Sequence, residues 1–299
     1  MPMPELRKRR SRWSSLVVTS KKKPVGAIAG VVCILLILAA VFADQLTTQA
    51  AGAVDPLKNP RLLGPSLEHP LGTDNLFRDI YTRIIVGARI SLGIGFAAVF
   101  LGTLIGATLG LISGYFGGWV DMLVSRFVEV ILGFPPLVLI LFWVAVFNAE
   151  NDGYSFESFL IVSLGIGIII APTTARIVRG SVLSIRNLQY IEAAVSIGNA
   201  SPRIIWRHVL PNVVAPIIVI ASIQIGNAIL AEAALSFLGL GIADDAHPSW
   251  GKMLQDTRSF WQDAWWTAVM PGAAISAAVL AFNLFGDALR DVLDPRLRQ

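Results

Sequence analysis

The sequence predicts an all-α, polytopic membrane protein with six transmembrane helices, and three observations carry that prediction. Hydrophobic residues make up 55% of the 299, charged residues 15%, and the mean hydropathy is +0.66; soluble domains do not have this composition and membrane proteins do. Apolar runs of about 20 residues, the length a helix rising 1.5 Å per residue needs to cross hydrocarbon, recur along the chain. Between them the basic residues are unevenly shared. With six spans, 17 of the 24 Lys and Arg fall in the N-tail, the second and fourth connections and the C-tail, and seven fall in the other connections. Cytoplasmic segments carry the excess, so both termini are expected inside.

The first run, Val25 to Ala43, follows Lys21, Lys22 and Lys23 and has no charge. It exceeds a signal-peptide core and is read as a span. Later spans are expected at Ser91–Ile112, Val130–Phe147, Ser158–Thr174, Val213–Gly239 and Thr267–Gly286. The organisation that follows is a cytoplasmic tail over 1–24, a first span over 25–43, an extracytoplasmic connection over 44–90, a membrane core over 91–287 and a cytoplasmic tail over 288–299. In the outer connection Pro56, Pro60, Pro65 and Pro70 favour an irregular segment laid over the outer surface, as part of a vestibule.

Gly102, Gly106, Gly110 and Gly114 recur every fourth residue along one ridge of the second span. Such a ridge lets another helix approach closely, in this chain or in a partner subunit. Pro172, Pro216 and Pro271 mark flex points in later spans, where neighbouring helices can re-satisfy the backbone. Trp261, Trp265 and Trp266 before the last span fit an interfacial aromatic belt. Asp287 and Arg290 just past that span are expected to pair at i, i+3. In the fifth span Ser222, Gln224, Asn227 and Glu232 are polar. Ionisable groups at such depth face a cavity or a partner, so these four are candidates for a solute path, weighed against a helix–helix hydrogen-bond network.

The chemistry of enzymes is missing from the sequence. Cys33 is the single cysteine and lies inside an apolar run, and His69, His208 and His247 lack a ligand-like partner at i+3 or i+4, so no metal site is expected. No G-x-x-x-x-G-K-[ST] phosphate loop is present, no cofactor is expected on this chain, and the basic balance reads as membrane topology with no nucleic-acid partner. A lone ion-coupled transporter would show repeats and several intramembrane carboxylates; one clear carboxylate and no convincing repeat are found. A membrane enzyme ranks lowest, because the spans hold no nucleophile and base set.

The most informative segment is a charged, helix-forming insert at 185–212 between the fourth and fifth spans. Asn187 is placed to cap a first short helix to Ile197, with Gly198 as its left-handed C′ residue. Ser201 is placed to cap a second, with Pro202 at N1. In that helix Arg203 and Arg207 share one face, Ile205 and Val209 another, and Trp206 and Leu210 a third. A loop joining two spans needs only a few residues, so this length suggests a docking surface for a partner in water.

Glu192-Ala193-Ala194, Gly198 six positions after the Glu, and Leu210-Pro211 resemble the EAA loop of permease subunits of ATP-binding-cassette importers. His208, in RHVLPN where the generic motif has Ile, points to the dipeptide, oligopeptide and nickel subfamily. HPLGTDNLFRDIYTRIIVGARISL from His69, GYFGGWVDMLVSRFVEVILGFPPL from Gly114 and AFNLFGDALRDVLDPR near the C-terminus resemble the same subfamily, so the likeness spans nearly the whole chain. Phe77 stands where Gly is usual between the GTD and RD elements, and Ala288 replaces another common Gly.

The resemblance implies the type I permease fold and a non-catalytic subunit in a bacterial or archaeal cell membrane. It implies a second homologous permease, two cytosolic ATP-binding subunits carrying ATP and Mg²⁺, an extracytoplasmic solute-binding protein and surrounding lipid. Glu192, Ala193, Ala194, Gly198, Leu210 and Pro211 inherit the motif's role in coupling to the ATPases, with Ser201, Pro202, Arg203, Arg207 and His208 on the same helices. The expected cargo is a di- or oligopeptide; nickel, glutathione and other small solutes are the alternatives.

Overall fold

The computed structural model describes residues 24–47, 50–54, 60–148 and 153–293. Lys21, Lys22 and Lys23, Pro56 and the C-tail from residue 294 lie outside the described residues. Ten helices and one 3₁₀ turn (Thr257–Ser259, after the ninth) follow in order among the described residues: α1 (Pro24–Val41), α2 (Ala43–Leu46), α3 (Ile80–Phe116), α4 (Gly118–Leu132), α5 (Pro136–Phe147), α6 (Phe156–Arg186), α7 (Gln189–Ser196), α8 (Ser201–Phe237), α9 (Trp250–Asp256) and α10 (Trp266–Leu293). The strand-type pairing described is one isolated antiparallel bridge between Thr73 and Asp79.

Helices α1, α3, α6, α8 and α10 are each long and apolar enough to cross a membrane, and α4 with α5 makes a sixth, bent candidate. The third expected span, Val130–Phe147, is therefore not one straight helix. α4 and α5 meet at 90° across Gly133–Pro135. Pro135 and Pro136 lack the N–H a helix needs, and the first of them biases Phe134 away from helical ψ. Hydropathy runs unbroken through this elbow and hides it. Pro172, Pro216 and Pro271 sit inside α6, α8 and α10, which continue through them.

The glycine ridge sets the register of the bundle. A methyl group on Gly102 would lie 2.5 Å from Gly167 O, one on Gly110 2.6 Å from Ala175 O and one on Gly114 2.8 Å from Val182 Cβ, while one on Gly106 would overlap Ala171 O. Residue numbers rise together along both helices, so α3 and α6 are parallel and pack backbone to backbone. The ridge is consumed inside the chain against α6, and the expected alternative of packing against a partner subunit is not met. Parallel packing also requires α4 and α5 to return the chain to the starting end of the bundle, which makes the bent pair one crossing.

The remaining crossings are antiparallel. Gly95 lies against Ile229, Gly226 against Asn283, and Gly26 and Gly30 against Ala288 and Phe285. Pro24, Leu293 and the insert consequently share one end of the bundle. Where a Gly is usual Ala288 brings a methyl, and Gly26 on α1 makes the space for it.

The opposite end is closed by the segment before α3. Prolines keep it irregular as expected, yet it is tightly bonded. Thr73 Oγ1 donates to Pro60 O and accepts from Leu63 N, and Asp74 accepts from the amides of Leu76 and Arg78. Asp79 caps α3 by accepting from Thr82 N at 2.8 Å and meets His69 Nδ1 at 3.0 Å. Phe77 adopts φ +60°, the left-handed region in which Gly has no steric penalty. Arg78, 1% exposed, binds Asp74 at 2.6 Å and also Asp245, and lies 3.5 Å from Asp256. Arg83 approaches Asp256 at 3.6 Å. Trp266 Nε1 donates to Thr73 O at 3.2 Å, so one member of the aromatic belt also ties α10 to this segment.

Candidate functional site: the insert and its platform

The insert stands on a small core of its own. Val178 and Val182 of α6, Ile191 and Ala194 of α7, and Ile204, Val209 and Val213 of α8 are buried together. α6 ends at Asn187, which terminates that helix and does not cap the next; Leu188 precedes α7 with no side-chain cap. α7 then closes as a Schellman motif, with Gly198 N donating to Val195 O at 2.9 Å and Asn199 N to Ala194 O at 3.2 Å. Gly198 takes φ +82°, the expected left-handed conformation. Asn199 Nδ2 adds a second donor to the Ala194 carbonyl.

The second short helix is not separate from the fifth span. Ser201 is its first helical residue, not its cap, Pro202 follows it in the first turn, and the helix runs on through a π-helical turn at Ile205–Val209 into the span. Pro211 explains the turn: its ring and missing N–H disrupt the α-helical bond to residue 207, and widening the preceding turn absorbs the defect. The wider turn shifts the faces. Ile204, Val209 and Val213 form the buried stripe, Ile205 and Leu210 are half-buried, and Trp206 points outward.

The EAA triplet divides accordingly. Ala194 is buried in the platform, whereas Glu192 and Ala193 face out. Pro202, Arg203, Arg207 and Pro211 are exposed, Ser201 and His208 half-buried. Around them stand Ile197 at 79% exposed and Trp206 at 72%, with Val195 and Tyr190 beside them. Among the described residues Glu192, Arg203 and Arg207 have no ion-pair partner. A groove of about 550 Å³, lined by Tyr115, Phe116, Arg186, Asn187, Ile191, Glu192, Val195 and Ser196, separates α7 from the end of α3. The surface is a set of large apolar side chains ringed by unpaired charges of both signs. Val195 and Ile197 escaped sequence reasoning, because in a membrane protein an exposed Val or Ile has no distinguishing signal until its surroundings are known.

The four polar residues of α8 separate. Glu232 is 1% exposed and accepts from Ser236 Oγ at 2.7 Å. Ser91 and Ser249 face the same carboxylate. Each of these two hydroxyls accepts a backbone N–H, from Trp250 and Lys252, and Glu232 Oε2 has no hydrogen-bond partner among the described residues. Glu232 is thus enclosed between α3, α8 and α9 and, among the described residues, lines none of the described cavities. Gln224 is buried and accepts from Asn227 Nδ2 at 2.8 Å, Ser222 is bonded to Val219 O, and Asn227 alone of the four is exposed. Small residues on α8 let its neighbours close over the others. Asp287 and Arg290 do not pair; Arg290 lines an apolar groove of about 590 Å³ with Asn212, Pro216 and Ile220.

Near the insert end, Arg179 Nε and Nη2 clasp both oxygens of Asp121 at 2.5 Å, and Ser113 Oγ donates to the same carboxylate. This fork fixes the start of the bent hairpin against α6.

A helical core of up to six crossings, the third bent, carries a platform-mounted helical insert, and comparison with known proteins identifies this architecture as a transport permease. Residues 106–299 match the profile of the binding-protein-dependent transport system inner membrane component family, and the chain belongs to it as a permease subunit of an ATP-binding-cassette importer. Among its relatives, the dipeptide transport system permease protein DppC of Alkalihalophilus pseudofirmus is 45% identical over 96% of this chain and 91% of its own length. The glutathione transport system permease protein GsiD of Pectobacterium atrosepticum is 40% identical over 97% and 93%. The inward-facing MetNI methionine ABC transporter shares the fold, with TM-score 0.56 and 19% identity over 70% of this chain and 94% of that one.

Proposed function

We propose that this chain is one of two permeases in an importer of short peptides, and that the insert is the surface through which cytosolic ATPases drive it. The observation that carries the coupling reading is the exposed set Val195, Ile197 and Trp206, ringed by Glu192, Arg203 and Arg207 on a rigid, buried platform. Large apolar side chains surrounded by charge are the anatomy of a protein interface. Pro24 and Leu293 share the end of the bundle that bears the insert, and the excess of Lys and Arg in the segments at this end supports placing it in the cytoplasm. The residues of 185–212 then act as the coupling helix, the opposite end faces the solute-binding protein, and ATP and Mg²⁺ reside on the partner subunits.

Peptide cargo is supported by the relatives, one named for dipeptides and one for glutathione, itself a γ-glutamyl tripeptide. Asn227, held by Gln224, is the member of the α8 set that solute can reach. Ser222 and Glu232 support the wall behind it.

Uptake of labelled dialanine by the whole importer in proteoliposomes, with ATP hydrolysis followed in parallel, tests this. Glu192→Lys and Gly198→Val are expected to abolish ATP-driven uptake while the permease still assembles. Full coupled uptake in both variants would remove the insert from the coupling path.

A further inference from the structure

Helix α4 is thinly attached to the bundle. Val128 is its one buried residue, and beyond it Gly133, Phe134 and Pro135 of the elbow are exposed. At its start the Asp121–Arg179 fork pins it to α6. α5 is fastened separately, with Ile140 and Val144 buried among Val162, Ile166 and Ile170 of α6, and the prolines of the elbow interrupt the helical bonding between α4 and α5.

The joint in front of α4 is open to rotation. Gly117 and Gly118 take φ +66° and +54°, successive left-handed positions that glycine adopts without a steric penalty. A methyl on Gly118 would meet nothing within 4 Å, and one on Gly117 only the tip of Arg186, at 3.0 Å. Packing does not buttress this corner. A segment with few buried contacts beyond an unbuttressed joint moves at little free-energy cost.

Behind α4 lies a cavity of about 400 Å³ between α3, α4 and α6, lined by Gly110, Ser113, Val128, Glu129, Arg176 and Arg179 among others. Its charges are not matched. Arg176 is exposed and has no carboxylate within ion-pair reach among the described residues. Glu129, on the α4 wall, is turned to Arg126 at 2.7 Å, and these two side chains are 53% and 76% exposed. A surface pair of this kind contributes little and is readily exchanged for another. At 1.5 Å per residue Glu129 lies about 12 Å beyond Asp121 along α4, so a rotation of about 20° at the fork carries it about 4 Å.

We propose that α4 is an arm that swings about Gly117–Gly118 and closes over this cavity in one state of the transport cycle, exchanging the Glu129–Arg126 pair for Glu129–Arg176. The inference rests on the ATP-driven reading of the chain and adds a moving part to it. In this structure the arm stands open, with the Asp121–Arg179 fork as its pivot.

The whole importer in proteoliposomes tests the arm in two ways. Glu129→Cys with Arg176→Cys, in a Cys33→Ala background, is bridged with a short, reducible bis-methanethiosulfonate, without nucleotide and after trapping with ATP and vanadate. The bridging rate is expected to differ at least tenfold between the two states. Charge exchange then tests the pair: Glu129→Lys and Arg176→Glu are each expected to lower dialanine uptake up to about fivefold, the upper worth of a surface ion pair, and the two together to restore it. The two side chains do not touch in the open arm, so rescue requires the closed one. Absence of rescue overturns the ion-pair exchange. Bridging that ignores nucleotide in an importer that still takes up dialanine overturns the arm and leaves the coupling reading standing. Bridging that ignores nucleotide where the parent importer shows no ATP-driven uptake overturns both.

Discussion

At the insert end Ile197 and Trp206 are exposed and Arg203 and Arg207 have no carboxylate within ion-pair reach among the described residues; at the opposite end Arg78 and Arg83 are 1% exposed and are met by Asp74, Asp245 and Asp256. The same residue type is used in two ways. Buried arginines, with partners more than 150 residues apart in sequence, fasten the outer connection and the α8–α9 loop onto α3. Exposed arginines on a separately packed platform keep their charge available. One end commits its ionic groups to internal order, and the other leaves them unpaired among the described residues.

The largest expected effect breaks the ordered end. Arg78→Ala leaves the buried Asp74 carboxylate without its cation, and removing one partner of a buried pair costs about 3–5 kcal/mol. Thermal unfolding of the detergent-purified protein should show a strongly lowered midpoint and a low yield of folded permease. Gly106→Leu tests the seam common to both ends. Its side chain meets the backbone of α6, where no rotamer escapes, and overpacking of about 1–3 kcal/mol or more is expected in the same assay.

The insert should respond in the reverse manner. Trp206→Ala removes an exposed side chain and is expected to shift stability by no more than about 0.5 kcal/mol. Affinity for the ATPases, measured by titration onto the nanodisc-embedded permease pair, should fall at least tenfold. Phe77 sharpens the picture on the ordered side. Phe77→Gly relieves a left-handed residue but loses half-buried contacts, so its stability is expected within about 1 kcal/mol of the parent. Phe77→Val should be clearly worse, because a β-branched residue tolerates that φ poorly.

The smallest effect is a pH dependence. Burial raises the Asp244 carboxyl, but the His247 amide and ring and the Tyr154 amide outweigh it and depress it in the folded protein, so the stability it contributes is present above the unfolded carboxylate range and is lost as pH falls through its folded pKa. The difference in unfolding midpoint between the parent and Asp244→Asn should therefore shrink as pH falls from the ordinary carboxylate range, about 4, to below the depressed folded pKa.

Much of this was legible in sequence, for identifiable reasons. Spans are announced by apolar runs, and the four-residue glycine spacing by itself marks a close-packed ridge; its partner, α6, is not written locally. Gly198 was readable because a left-handed C′ position has a residue signature. Ser201 was misassigned by one position, because Ala200 takes the extended cap backbone and Ser201 is already helical; the fusion of this helix to the span through a π-helical turn before Pro211 lies outside any local capping rule. Glu232 announces itself as costly, but Ser236, which bonds it, and Ser91 and Ser249, which flank it, lie on three elements. The elbow at Gly133–Pro135 lies within continuous hydropathy, and the Arg78 network joins segments that only the folded bundle brings together.

The most direct measurement is a mild-detergent purification of the tagged chain from its native membranes, parent against Ile197→Asp, with thermal midpoint and co-purifying subunits determined on the same samples. An unchanged midpoint with the ATP-binding subunits lost from the variant is the predicted result. ATP-binding subunits retained at parental stoichiometry, or a variant that loses its fold along with them, would contradict the division of the molecule into an ordered end and a docking end.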